Sequence, residues 1–109
     1  MIVLVAALGG CGTWQGARLY QSGTHALERG EVDIALQDLS EAARLVPEAS
    51  EIHNHLGLAQ LAAGEPDLAR RSFTRAVELD CDNRAASENL ARLERAAVLE
   101  RLGAEDSHE

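Results

Sequence analysis

Two stretches of the chain, LERGEVDIALQDLSEAARLVP from Leu27 and LAAGEPDLARRSFTRAVELDC from Leu61, align without a gap at an offset of 34 residues. Gly23 falls on Gly57, Gly30 on Gly64, Ala35 on Ala69, Leu39 on Phe73, Ala42 on Ala76 and Leu45 on Leu79. A fixed period of this size constrains the fold more than any local pattern, because each unit must bury its apolar face against the next. Within the units, Ala35, Leu36, Leu39, Ala42 and Ala43, and again Ala69, Phe73, Ala76 and Val77, recur at three- and four-residue spacing, the mark of an amphipathic helix. Gly30 and Gly64 are expected to end a preceding helix, since glycine adopts the left-handed C-terminal conformation at little cost. Pro66 suits the first turn of the helix that follows. Pro47 then closes the first unit, with Cys81 at the matching turn of the second.

The core of such a chain must be aliphatic, because Trp14, Tyr20 and Phe73 are its only aromatic residues. Its formal net charge is -8, from 18 acidic residues against 10 basic ones that are all Arg. Binding to a phosphate backbone needs a basic face. Here the arginines are dispersed among carboxylates, so no nucleic-acid partner is expected, and the run Arg70, Arg71 and Arg75 reads as a solvated helix face. Cys11 and Cys81 form no disulfide framework and have no neighbour at metal-ligand spacing.

A helix–turn–helix of 34 residues with a small residue in its first helix (Gly23, Gly57), Gly at the turn, Ala then a bulky residue four on (Ala35 with Leu39, Ala69 with Phe73), a second Ala (Ala42, Ala76) and a closing Pro47 resembles the tetratricopeptide repeat (TPR) family. Its departures are His53 where the family often has Trp, Ala26 and Gln60 where it often has Tyr, and Cys81 for the second Pro. The resemblance implies an all-α, TPR-type α-solenoid of two helical hairpins, residues 16–49 and 50–83, with a capping helix over 84–102 and a flexible tail over 103–109. Two hairpins and a cap are few for a solenoid, which leaves room for a homo-oligomer or a partner to complete the array.

In that family the first helix of each hairpin lines a peptide-binding groove. The register places Tyr20, Thr24 and Leu27, then Asn54, Leu58 and Leu61, then Glu88, Arg92 and Arg95 on that face. Tyr20, as an aromatic anchor, and Asn54, as an amide able to pair with peptide backbone, lead as recognition candidates. The carboxylate clamp of some TPR domains, built from Lys, Asn and Arg, is not matched by Tyr20, Thr24, His55 and Ala85. A neutral or mildly basic, partly apolar segment is the expected protein or peptide partner, since the acidic balance steers anionic peptides away.

Ahead of the repeats, MIVLVAAL leads into Gly9-Gly10-Cys11-Gly12. The match at Leu8-Gly9-Gly10-Cys11 resembles a bacterial lipoprotein signal peptide, which implies cleavage before Cys11, lipidation of its thiol, and a linker at 11–15. No Lys or Arg precedes the apolar run, unlike the family pattern. About ten residues at roughly 1.5 Å each cover half of a roughly 30 Å hydrocarbon layer, so the run does not span a membrane as a helix. The implied setting is the bacterial envelope, at the periplasmic face of the outer membrane if the host is Gram-negative, in the assembly of a pilus, secretion or cell-wall complex. The alternatives are a soluble periplasmic or cytoplasmic adaptor whose apolar start belongs to a helix behind a mis-assigned start codon, and a nucleotide-binding enzyme fragment using Gly10, Gly12 and Gly16.

No catalytic constellation emerges. His53 and His55 stand about 200° apart on a helix and are not expected to share a metal, and no Ser or Thr is paired with a base at recognisable spacing. No cofactor, metal or enzymatic activity is expected. Small residues are needed where the helices of a hairpin approach most closely. Ala69→Leu is therefore expected to lower stability by about 1–3 kcal/mol through overpacking, read by urea denaturation.

Overall fold

The structure, a computed structural model, describes the backbone of residues 2–106 and the side chains of residues 11–105. Five helices follow one another with no strand among the described residues: α1 (Ile2–Glu28), α2 (Val32–Leu45), α3 (Ser50–Ala62), α4 (Pro66–Leu79) and α5 (Arg84–Asp106). The two hairpins α1–α2 and α3–α4 carry the most extensive packing, and α5 lies against α4 and the edge of α3. The expected all-α solenoid is the observed one.

Each hairpin turn follows from its glycine. Gly30 and Gly64 have φ of 76° and 77°. At the first turn the N–H of Glu31 donates to the Ala26 carbonyl at 2.8 Å and that of Gly30 to Leu27 at 3.1 Å. The second repeats this with Glu65 on Gln60 at 2.9 Å and Gly64 on Leu61 at 3.0 Å. This pair of bonds is the Schellman arrangement, which satisfies the carbonyls left open at the helix end. Pro66 then starts α4, where its missing N–H costs no hydrogen bond.

Packing inside the hairpins explains the two small residues upstream of the turns. A Cβ built on Gly23 would lie 2.7 Å from Leu39 Cγ, and one on Gly57 would lie 2.5 Å from Phe73 Cε1 and 2.7 Å from Cδ1. Leu39 and Phe73 are the largest fully buried side chains and sit in the space that each glycine leaves open. Ala35, Ala42, Ala69 and Ala76 are fully buried around them. One apolar cluster gathers Ala26, Ala35, Leu39, Leu56 and Ala59, and another gathers Ala69, Phe73 and Leu93.

The ends differ from the sequence reading. Residues 11–15, expected as a linker, continue α1, and the capping helix runs past Leu102 to Asp106. Propagation adds a hydrogen bond per residue to an existing helix, and neither Thr13-Trp14-Gln15 nor Gly103-Ala104-Glu105 carries a proline to stop it. Gly103 does not adopt the positive φ of a C-cap. The remainder of the expected tail, 107–109, and the side chains of the expected signal peptide at 1–10 lie outside the described residues. Gly10, Gly12 and Gly16 all fall within α1, so the strand–loop–helix that a phosphate-binding glycine loop requires is not formed there.

The contact between Phe73 and Gly57 yields a test. Gly57→Ala is expected to cost about 1–3 kcal/mol in urea unfolding, because the new methyl meets a buried ring that has no room to withdraw. In a double-mutant cycle with Phe73→Leu the two costs are expected to be non-additive, the smaller side chain absorbing part of the clash. Strict additivity would show that the two sites do not share a contact.

Candidate functional site

α1, α3 and α5 are the first helices of their units and lie side by side, tied by polar rungs. Tyr20 Oη stands 3.4 Å from Glu51 Oε2 and 3.3 Å from His55 Nδ1, and His55 Nδ1 lies 3.0 Å from the Glu51 carbonyl. A carbonyl only accepts, so His55 Nδ1 carries the hydrogen for that bond and the phenol donates to the Glu51 carboxylate. The Tyr20 and His55 rings meet edge to face, 5.1 Å between centroids at 86°. Burial pushes the Tyr20 phenol above its ordinary value, and the neighbouring Glu51 charge adds to the effect. The hydroxyl is therefore held as a neutral donor.

The second rung joins α3 to α5, where Asn89 Nδ2 donates to Asn54 Oδ1 at 3.0 Å. Tyr20 and Asn54 occupy the same register position, and each meets a residue 35 further along the chain. A third polar contact closes the base of the array. Asn83 accepts the Ala86 N–H at 3.1 Å, capping α5, and donates to Ser50 Oγ at 2.8 Å. Ser50 in turn donates to the Ala76 carbonyl at 2.7 Å. No buried side-chain nitrogen or oxygen among the described residues lacks a partner.

These contacts re-sort the residues that the sequence places on the groove. Asn54 is only 5% exposed and its carbonyl is occupied by Asn89, so it clasps two helices instead of offering an open amide. Thr24 is half-buried, and its hydroxyl donates to the Tyr20 carbonyl at 2.7 Å, one turn back in α1. Leu58 and Leu61 are half-buried and rest against the Ala69–Phe73–Leu93 cluster. Glu88, Arg92 and Arg95 are exposed on α5 and enter no ion pair among the described residues. By contrast, Arg70 and Arg75 pair with Asp67 and Glu78 at 3.6 Å, as a solvated helix face would.

The remaining histidine of the close pair, His53, bonds through Nε2 to the Pro47 carbonyl at 2.9 Å and so steadies the inter-repeat turn. Cys11 and Cys81 are both exposed free thiols. No group of three or more His, Cys, Asp or Glu side chains gathers as a metal site among the described residues. None of their helices is long and apolar enough to cross a membrane. Sequence reasoning missed Asn83, Asn89 and Ser50, although the offset of one period plus one residue that links Tyr20 to His55 also links Asn54 to Asn89.

Comparison with known proteins agrees with this architecture. The tetratricopeptide repeat family model matches residues 20–86 and again 56–107. A segment of the heat shock protein STI1 of Saccharomyces cerevisiae is 39% identical over 61 residues, 56% of this chain and 10% of that protein. A TPR repeat-containing protein of Pseudomonas aeruginosa is 40% identical over 68 residues, 62% of this chain and 28% of the other. The chain thus spans a minor part of both relatives. The first TPR domain of human RPAP3 superimposes with a TM-score of 0.74 at 17% identity, covering 80% of this chain and 68% of that domain. The first TPR of Spaghetti (RPAP3) bound to the HSP90 peptide SRMEEVD gives 0.56 at 16% identity, covering 79% and 95%. Five helices in the hairpin order of a solenoid and a family model that fits most of the length show that this chain belongs to the tetratricopeptide repeat family, a family of protein-interaction modules.

Proposed function

We propose that the chain is an adaptor that holds an extended peptide segment of a partner across α1, α3 and α5, and that it is lipid-anchored through Cys11 in a bacterial envelope, where it serves assembly of a pilus, secretion or cell-wall complex. The observation that carries the binding reading is the rung-locked face itself. Tyr20, His55 and Leu58 form a half-buried floor, and Glu51, Glu88, Arg92 and Arg95 stand exposed along it. A rigid aromatic and an aliphatic side chain in a fixed floor are efficient anchors, because little freedom is lost when the partner docks.

The same face argues for the ligand class. α3 contains no Lys or Arg, and the α1 residues on this side are Tyr20, Thr24 and Leu27, so positive charge comes from α5 alone. A peptide as acidic as the SRMEEVD bound by the RPAP3 neighbour would find cations at one end only. A neutral or mildly basic, partly apolar segment suits the acidic chain better. Peptides selected from a random display library against the full chain are expected to be of that kind. Tyr20→Ala is expected to weaken a selected peptide at least about tenfold by fluorescence anisotropy. Selection of acidic peptides ending in a free carboxylate, indifferent to Tyr20, would defeat this reading of the groove.

Anchorage is supported by Leu8-Gly9-Gly10-Cys11 and by the exposure of Cys11, five residues ahead of Gly16, where α1 first packs against Val46 of α2. Removal of residues 1–10 would leave that packing whole. A second reading, a soluble adaptor, is favoured by the unbroken course of α1 from Ile2 through the cleavage segment. Intact mass of the chain made in a bacterial host separates them. The anchor predicts a species beginning at Cys11 with diacylglycerol and acyl mass, absent in Cys11→Ser; an unmodified soluble chain retaining residues 1–10 supports the alternative.

A further inference from the structure

The charge of the chain is divided along its length. No Asp or Glu occurs before Glu28, so all 18 acidic residues and nine of the ten arginines lie in the remainder. The acid-free part is α1 up to Leu27, and the first residues of that helix project beyond the end of α2. On that helix Cys11, Trp14 and Arg18 fall within one narrow stripe, since spacings of three and four residues return to the same face.

Trp14 is the most exposed large apolar side chain among the described residues, at 70%. It is not part of any core cluster. The Arg18 guanidinium stands 6.0 Å from its ring centroid. Among the described residues, the one carboxylate that lines the same cavity as Cys11, Trp14 and Arg18 is Asp38 of α2, and it accepts a hydrogen bond from Ser22 at 2.7 Å. Glu41, further along α2, is bonded to Arg44. From Cys11 to Arg18 the face therefore offers a tryptophan, a cation and no acid.

We infer that this stripe is a contact with the headgroup layer of an anionic bilayer, Trp14 seating in the interface and Arg18 pairing with lipid phosphate. Tryptophan concentrates at membrane–water interfaces because its ring is apolar and its N–H is polar. An anionic surface attracts an arginine within about a Debye length and repels carboxylates. The division of charge thus fixes an orientation, with the N-terminal end of α1 toward lipid and the acidic hairpins with their groove held away from it. The inference rests on the membrane-anchor reading of Cys11 and adds to it a second, non-covalent contact.

Trp14 is the one tryptophan of the chain, so its fluorescence reports this face alone. The full chain carrying Cys81→Ser is coupled through Cys11 to a maleimide lipid in phosphatidylcholine vesicles, with or without phosphatidylglycerol. The tether is then supplied chemically, whatever a cell does at Cys11. In anionic vesicles Trp14 emission is expected to move to shorter wavelength, with loss of acrylamide quenching and gain of quenching by brominated lipid. The shift is expected to be smaller in neutral vesicles, and Arg18→Glu to remove the difference.

Trp14 left open to acrylamide in both vesicle types, on chains that float with the lipid, would overturn the inference while leaving the anchor reading intact. An equal shift in neutral vesicles, unaffected by Arg18→Glu, would also overturn it, assigning the change to apolar insertion. So would a shift that follows protein concentration without lipid, which would assign the face to a second copy of the chain. Failure of the anchor reading registers separately, as an unmodified Cys11 in the mass of the cell-made protein.

Discussion

The structure depends on one steric relationship used twice, a bulky side chain entering the space left by an absent Cβ. Leu39 on Gly23 and Phe73 on Gly57 let the two helices of each hairpin approach closely enough for their alanines to be fully buried. A chain with three aromatic residues has little bulk with which to fill a wider gap. Close approach is therefore how an alanine-rich sequence makes a dense interior. The position of the groove follows from it, since the spacing within hairpins sets how the first helices line up.

Much of the fold was legible because its determinants recur. Gly30 and Gly64 were expected at helix ends and have the positive φ that such ends use. Small residues were expected where the helices of a hairpin approach most closely, and Gly23 and Gly57 lie there; that each receives the bulky side chain 16 residues further on is seen only in the structure. The ends of the solenoid were less legible. Trp14 and Gly103 carry no signal that separates a helix supported by its neighbours from one that continues past them, and both lie in helix.

The candidate site shows a different limit. Register assigns residues to a face but does not say whether their polar groups are already engaged. Tyr20 and Asn54 look like open recognition groups in sequence, yet each spends a polar atom on the next first helix, through His55 with Glu51 and through Asn89. Their loss to the ligand is the cost of a rigid floor. What remains free is on α5, where Glu88, Arg92 and Arg95 are exposed. Polar groups are thus divided along the array, engaged between helices at Tyr20, Asn54 and Asn89 and open at the exposed charges of α5, while the Tyr20 ring still faces the groove in the proposed reading. The acid-free start of α1 adds a second division, of charge, between an end without carboxylates and an acidic body.

The central claim is that ligands bind on the face formed by the three first helices. It is tested most directly by titrating a selected peptide into the isotopically labelled full chain and following backbone amide shifts by NMR. The account predicts that the largest changes map to Tyr20, Thr24, His55, Leu58 and Arg92, on α1, α3 and α5. Changes concentrated instead at Gln37, Ser40, Arg71 and Arg75, on the exposed sides of α2 and α4, would contradict it.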